Sequence, residues 1–226
     1  MNLLCGALGV IFAFKGSLDM AFYMMLAGAI CDFCDGLSAR ALKAYSPMGK
    51  ELDSLADLIT FGLLPSIMLH RRLIEGGVTG FWAYFPLIIV VFSALRLAKF
   101  NVDERQGENF LGLPTPACAM WCGSLIYAAD HGVMSMANLL HDTNLIIISS
   151  VVLAILLVSE VPMFSFKFHK DSEYNRLRYC FIGIVALFAV ATLILKINWS
   201  YIILLTFTIY IVFNLIRALF SLGKTK

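Results

Sequence analysis

Charge is what this sequence has least of. Asp, Glu, Lys and Arg make up 14% of its 226 residues, whereas 60% are hydrophobic and the mean hydropathy is +0.85. Soluble domains carry about a quarter charged residues and about half apolar ones, so this scarcity excludes a water-soluble globule and predicts an integral, multi-pass membrane protein. The net charge of +2 is too small to serve a nucleic-acid partner. No stretch alternates with period two, which excludes membrane strands and leaves helices as the spanning element. No basic segment precedes a small-residue cleavage site, so no cleavable signal peptide is predicted. Repeats, low-complexity runs and linkers are absent too, so residues 1–226 read as one domain. The six cysteines are Cys5, Cys31, Cys34, Cys118, Cys122 and Cys180. They include one CxxC with neither a second CxxC nor a histidine cluster, and read as small apolar residues in lipid-embedded helices rather than as a zinc or redox site. His70, His131, His141 and His169 fall at the edges of loops and are expected to face solvent.

What is present is apolar sequence in long runs. Eight stretches stand out, at about 3–14, 18–42, 48–70, 81–100, 113–129, 144–166, 179–195 and 199–221, and they predict an all-α polytopic helix bundle with about eight transmembrane helices. The first is short for a span, and the segment is open to beginning further upstream. If the turn from Arg40 to Lys50 is cytoplasmic, thirteen of the 17 basic residues fall on that side, and Lys15, Arg71, Arg72 and Lys196 on the other. The bias predicts both termini in the cytoplasm, with Arg71–Arg72 as the one clear violation.

Against this background one segment, "CDFCDGLSARALKAYSPMGKELDSLAD" from Cys31 to Asp57, carries four carboxylates between apolar runs. Ser46-Pro47 has the form of a helix cap followed by proline at the first helical position, which predicts two antiparallel helices joined near "KAYS". Asp32 and Asp35 are three apart and Asp53 and Asp57 four apart, so each pair shares a helical face. Counted from the turn, both pairs lie at similar depth, and the hairpin can bring all four together. Clustered anions in low dielectric are costly unless divalent cations lie between them. Oxygen-only ligands suit hard ions such as Mg²⁺, Mn²⁺ or Ca²⁺, and a pair of such ions is one known way to clamp phosphate. Gly36, Ala39 and Gly49 present no side chain that would keep a flat group from the backbone. Arg40 carries a planar fork suited to phosphate. Taken alone, the small residues could equally serve helix packing and Arg40 interfacial anchoring.

The pattern Asp32-x-x-Asp35-Gly36-x-x-Ala39-Arg40, then Gly49-x-x-x-Asp53-x-x-x-Asp57, resembles the signature of the CDP-alcohol phosphotransferases. The resemblance implies transfer of a substituted phosphate from a CDP-linked donor to an alcohol at the cytoplasmic face of the membrane. It implies Asp32, Asp35 and Asp53 as metal ligands, with Asp57 joining the metal site and acting as general base. It also implies Asp32, Gly36, Ala39, Arg40 and Gly49 as the CDP contacts, Arg40 on the diphosphate.

Later segments bear on the acceptor. "LRLAKFN" (Leu95–Asn101), "GLPTPA" (Gly112–Ala117) and "VSEVPMFSFK" (Val158–Lys167), read as the end of the sixth span, resemble the phosphatidylserine synthase branch of that family, whose substrates are CDP-diacylglycerol and L-serine. Relatives in that branch carry a short basic stretch before "NLLCG" that is not found here. A zwitterionic amino acid needs a cation for its carboxylate, and Arg96 and Lys99 can supply one. Asn101 and Thr115 can meet its polar groups. Arg96 is expected near the depth of Asp57. Snorkelling, or binding of lipid phosphate, is the alternative role for Arg96 and Lys99. Lys167 reads as interfacial, and Glu160 either as part of a kink near Pro162 or as a contact for the serine ammonium. Membrane lipids are implied partners, and a homodimer is compatible with the sequence. Two rivals remain: a sister enzyme using glycerol 3-phosphate, an inositol phosphate or an amino alcohol, and a cation or proton transporter using the aspartates as a relay.

Overall fold

Proline 65 sits inside the longest helix of the protein. It has no amide hydrogen for the carbonyl four residues back, and its ring crowds that carbonyl. The computed structural model, which describes residues 1–43, 46–102, 109–131, 142–164, 183, 185–188, 190–192, 194 and 198–222, resolves the conflict with a π-helical turn at Leu58–Leu63. The helix therefore runs unbroken as α3, Pro47–Glu75, with the turn placed directly after Asp57.

Before it come α1 (Asn2–Phe14) and α2 (Leu18–Ala41), and after it α4 (Gly80–Val102), which starts as a 3-10 helix to Leu87. Then follow α5 (Thr115–His131), α6 (Thr143–Val158) and α7 (Ser200–Leu222). Helix α5 is the centre of the bundle. It is rich in small residues, and Thr115 and nearly every position from Ala117 to Ala129 are buried, as suits a helix packed on all sides. Helices α1 and α2 approach α3 closely at one residue. A methyl group added at Gly6 would lie 2.3 Å from Thr60 Oγ1, and one at Gly28 would lie 2.6 Å from Thr60 Cγ2.

The register between α3 and α4 positions the site. His70 bonds the Ala83 carbonyl at 2.7 Å, a methyl at Gly62 would touch Ser93 Cβ at 3.1 Å, and Asn101 Nδ2 donates to Ser54 Oγ at 3.0 Å. These pairs run in opposite senses along the chain, so the helices are antiparallel. One turn from the Gly62–Ser93 crossing lie Asp57 on α3 and Arg96 on α4, at the same level.

Several expectations need correction. Among the described residues, α2, α3, α4 and α7 are long and apolar enough to cross a membrane, while α1 and α6 are shorter apolar helices. At about 1.5 Å per residue the 13 residues of α1 span about 20 Å, less than a bilayer core. The stretch at 144–166 does not stay helical. Helix α6 ends at Val158, and Pro162–Phe164 forms strand β2, paired antiparallel with β1 (Asn109–Leu111), a single short pairing in an otherwise all-α membrane fold. Proline 162 cannot continue the helix and biases Val161 toward extended backbone. His70 is not solvent-facing: it is 9% exposed and stacks on Tyr84. The violating Arg71–Arg72 pair is neutralised, with Arg71 Nε 3.3 Å from Glu75 and Arg72 paired with Asp130 and Glu75. About half of the stretch at 179–195 lies outside the described residues, as do Ala44–Tyr45, His141, Lys167, His169 and Cys180.

Candidate active site

Helix α3 begins as its sequence suggests. Ser46 Oγ accepts from Gly49 N at 3.0 Å, and Pro47 occupies the first helical position. That start sets the phase of α3, and with it Asp53 and Asp57. Across from them α2 presents Asp32. Carboxylate oxygens of Asp32, Asp53 and Asp57 all lie within 4.8 Å of one another. Asp32 and Asp57 are half-buried and Asp53 is exposed. Asp35 is exposed and outside that group. Its three-residue spacing displaces it from Asp32 by about 60° around the helix and about 4.5 Å along it.

Among the described residues none of the three carboxylates takes part in an ion pair. The set contains only hard oxygen donors, so it fits a divalent cation of the Mg²⁺, Mn²⁺ or Ca²⁺ type and not a soft metal.

One contact to the group was invisible in the sequence. Asn2 Nδ2 donates to Asp57 Oδ1 at 3.0 Å, and the Asn2 carbonyl accepts from Thr60 Oγ1 at 3.1 Å. Asn2 is 3% exposed, so α1 clamps Asp57 from within the bundle and leaves its second oxygen to other partners. A lone asparagine 55 positions away in the chain carries no spacing signal that could have paired it with Asp57.

Beside Asp57 opens a cavity of about 460 Å³. Its polar wall is Lys50, Asp53, Ser54, Asp57, Arg96 and Asn101. Phe100, Pro114, Pro116, Phe207 and Tyr210 close it with apolar surface. Arg96 is 8% exposed; its Nη1 donates to Thr115 Oγ1 at 2.7 Å, and its guanidinium carbon lies 5.5 Å from the centre of the Phe100 ring. Asn101 receives Lys50 Nζ on its carbonyl at 3.1 Å, besides bonding Ser54. The structure thus brings Arg96, Thr115 and Asn101 together near Asp57. Lys99 turns away, with Nζ 3.4 Å from Glu160 Oε1, and does not line the cavity. The same pair answers for Glu160, which is held by Lys99 rather than built into a kinked helix.

On the other side of the carboxylates, Gly36, Arg40 and Gly49 are exposed and Ala39 is half-buried. Among the described residues a methyl group at Gly36 would meet only Arg40 Nη2, at 3.9 Å. That face is open to a flat ligand, with the guanidinium beside it.

The chain can now be set against known proteins. A family model described as CDP-alcohol phosphatidyltransferase matches residues 1–157. The CDP-diacylglycerol–serine O-phosphatidyltransferase of Bacillus subtilis is 30% identical over 168 residues, 74% of this chain and 88% of that protein. The enzyme of the same name from Mycobacterium leprae is 31% identical over 220 residues, 94% of this chain and 71% of that one. The archaetidylserine synthase of Methanothermobacter thermautotrophicus is 31% identical over 157 residues, 67% of this chain and 65% of that one. The span matched by the family model contains the whole carboxylate group, the open face around Gly36 and the Arg96–Thr115 pair, and the chain belongs to the CDP-alcohol phosphatidyltransferase family.

Proposed function

We propose that the protein transfers the phosphatidyl group of CDP-diacylglycerol to the hydroxyl of L-serine, giving phosphatidylserine and CMP. The observation that carries this reading is the position of Asp57, which belongs to the carboxylate group on one side and lines the cavity holding Arg96 on the other. The names of the three relatives, which share serine while the lipid differs, support serine as the acceptor. In this reading residues 1–226 are one helical membrane domain, with the aspartates at the cytoplasmic side where a water-soluble acceptor enters.

Donor and acceptor meet at Asp57. Gly36, Ala39 and Gly49 border the cytidine, Arg40 holds the diphosphate, and the lipid tails stay in the bilayer. Arg96 takes the serine carboxylate, with Thr115 and Phe100 fixing its guanidinium, and Asn101 orients the amino acid. Asp57, with Oδ1 held by Asn2, accepts the serine hydroxyl proton on its other oxygen. The serine oxygen forms the new bond to the phosphorus that bears diacylglycerol, and the bond from that phosphorus to CMP breaks. Asp32, Asp53 and Asp57, joined by Asp35 from one turn further along α2, would hold two divalent cations, Mg²⁺ or Mn²⁺, whose charge neutralises the diphosphate and the departing CMP.

The test is CMP release by the purified protein in detergent, with CDP-diacylglycerol and a panel of acceptors. Serine should support release, while glycerol 3-phosphate, inositol phosphate and free amino alcohols should not. Release with a phosphorylated acceptor alone would sink the serine reading. Release in detergent, where no gradient exists, also decides against a transporter.

Two variants probe the two walls of the cavity. Arg96→Lys keeps the charge but loses the planar fork, the bond to Thr115 and the stacking on Phe100. The KM for serine should rise about tenfold, about 1.4 kcal/mol if KM tracks binding, with the KM for CDP-diacylglycerol nearly unchanged. A shift in the donor KM alone would make Arg96 a phosphate-side residue. Asn2→Ala frees Asp57 Oδ1, and turnover should fall about tenfold through lost orientation with both KM values near those of the unaltered protein. Equal turnover in this variant would mean that Asp57 is held well enough by α2 and α3 alone.

A further inference from the structure

Helix α7 lies wholly beyond residues 1–157, yet it supplies Phe207 and Tyr210 to the wall of the cavity beside Asp57. The two are three residues apart and so share one helical face. The helix is locked against the central α5: Trp121 Nε1 donates to Thr208 Oγ1 at 2.9 Å, and the Tyr201 hydroxyl reaches the Ala128 carbonyl at 3.4 Å. Thr208 lies between the two residues that face the cavity, so its bond to α5 holds that part of the helix in place. Tyr210 is 3% exposed and lines the cavity together with Arg96.

A phenylalanine would fill this position as well by volume, and burying a hydroxyl instead demands a polar partner. Arg96, the group that the proposed reaction assigns to the acceptor carboxylate, lines the same cavity. None of Gly36, Ala39, Arg40 and Gly49 lines this cavity. The wall formed by α7 therefore borders the acceptor and not the nucleotide.

We infer that Tyr210 is a specificity-determining residue of the acceptor pocket, its ring limiting the length of the hydroxy amino acid that reaches Asp57 and its hydroxyl setting the polar surface next to Arg96. Phe207 supplies the neighbouring apolar wall. The inference rests on the reading of the cavity as the acceptor site. It places an acceptor-side element outside the segment that carries the CDP signature.

The experiment uses the full chain in detergent and measures kcat and KM for L-serine, L-homoserine and CDP-diacylglycerol in the unaltered protein, Tyr210→Phe and Tyr210→Leu. Tyr210→Phe keeps the ring and should raise the serine KM about fivefold, with kcat and the KM for CDP-diacylglycerol within about twofold. Tyr210→Leu shortens the wall and should raise the ratio of homoserine to serine kcat/KM at least about fivefold. A parallel loss with all three substrates in Tyr210→Phe would show a merely structural role and overturn the inference. Unchanged serine KM together with an unchanged homoserine-to-serine ratio would overturn it as well. If the unaltered protein releases CMP only with a different acceptor, the serine reading fails, and the same criteria then apply to the KM of that acceptor and of its one-carbon-longer analogue.

Discussion

Phosphatidyl transfer is expected to stop when divalent cations are removed. Three carboxylate oxygens within 4.8 Å of one another repel by roughly 3 kcal/mol per pair at an effective dielectric near 20, less where Asp53 is exposed. No lysine or arginine among the described residues forms an ion pair with them. A cation bound there would offset that repulsion, and in the proposed reaction the donor would add the charges of a diphosphate to the same place. Dialysis against EDTA should bring CMP release to background, and Mg²⁺ or Mn²⁺ should restore it. Testing Ca²⁺ alongside separates the need for charge from the need for a small octahedral ion. Undiminished release in excess EDTA after dialysis would remove the metal from the reading.

Asp57→Asn is expected to lower turnover by about 10²–10⁴-fold, the usual worth of a general base. The substitution preserves shape, and the carboxamide oxygen can still accept the bond from Asn2 Nδ2, so the α1–α3 clamp has no reason to loosen. What it loses is the capacity to take a proton. Because Asp57 also belongs to the carboxylate group, the comparison is made at saturating divalent cation, so that weaker ion binding does not pass for lost base catalysis. The KM for CDP-diacylglycerol should change little. Turnover near that of the unaltered protein would transfer the base to another group of the cavity, with Asp53 the nearest carboxylate to examine.

Local signals in the chain carried a large part of this picture. The membrane class follows from composition, because apolar surface on this scale has no soluble solution. Ser46-Pro47 marked the start of α3 because capping is settled within one turn. The Asp32, Asp53 and Asp57 group was legible because helical spacing places side chains on a face, and a hairpin brings two faces together. The depth of Arg96 relative to Asp57 was legible for a similar reason, since two consecutive antiparallel helices tie their levels through chain length.

Other features required the tertiary structure, because they depend on which distant helix packs where. Lys99 shares a helix and a charge with Arg96, yet lateral rotation sends one to Glu160 and the other into the cavity. Asn2 reaches Asp57 only because Gly6 and Gly28 let α1 and α2 close on Thr60. Tyr210 joins Arg96 in the wall of one cavity only because α7 is bonded to α5. The end of α6 at Val158 and the pairing of Pro162–Phe164 with Asn109–Leu111 likewise escape a hydropathy reading, which registers an apolar run and not its backbone. The sequence by itself determined the membrane class and the helix carrying Asp53 and Asp57, because each is written within one stretch of chain. The partners of those residues across the bundle were decided by the tertiary structure alone, because close packing between helices distant in sequence depends on the whole set of surfaces at once.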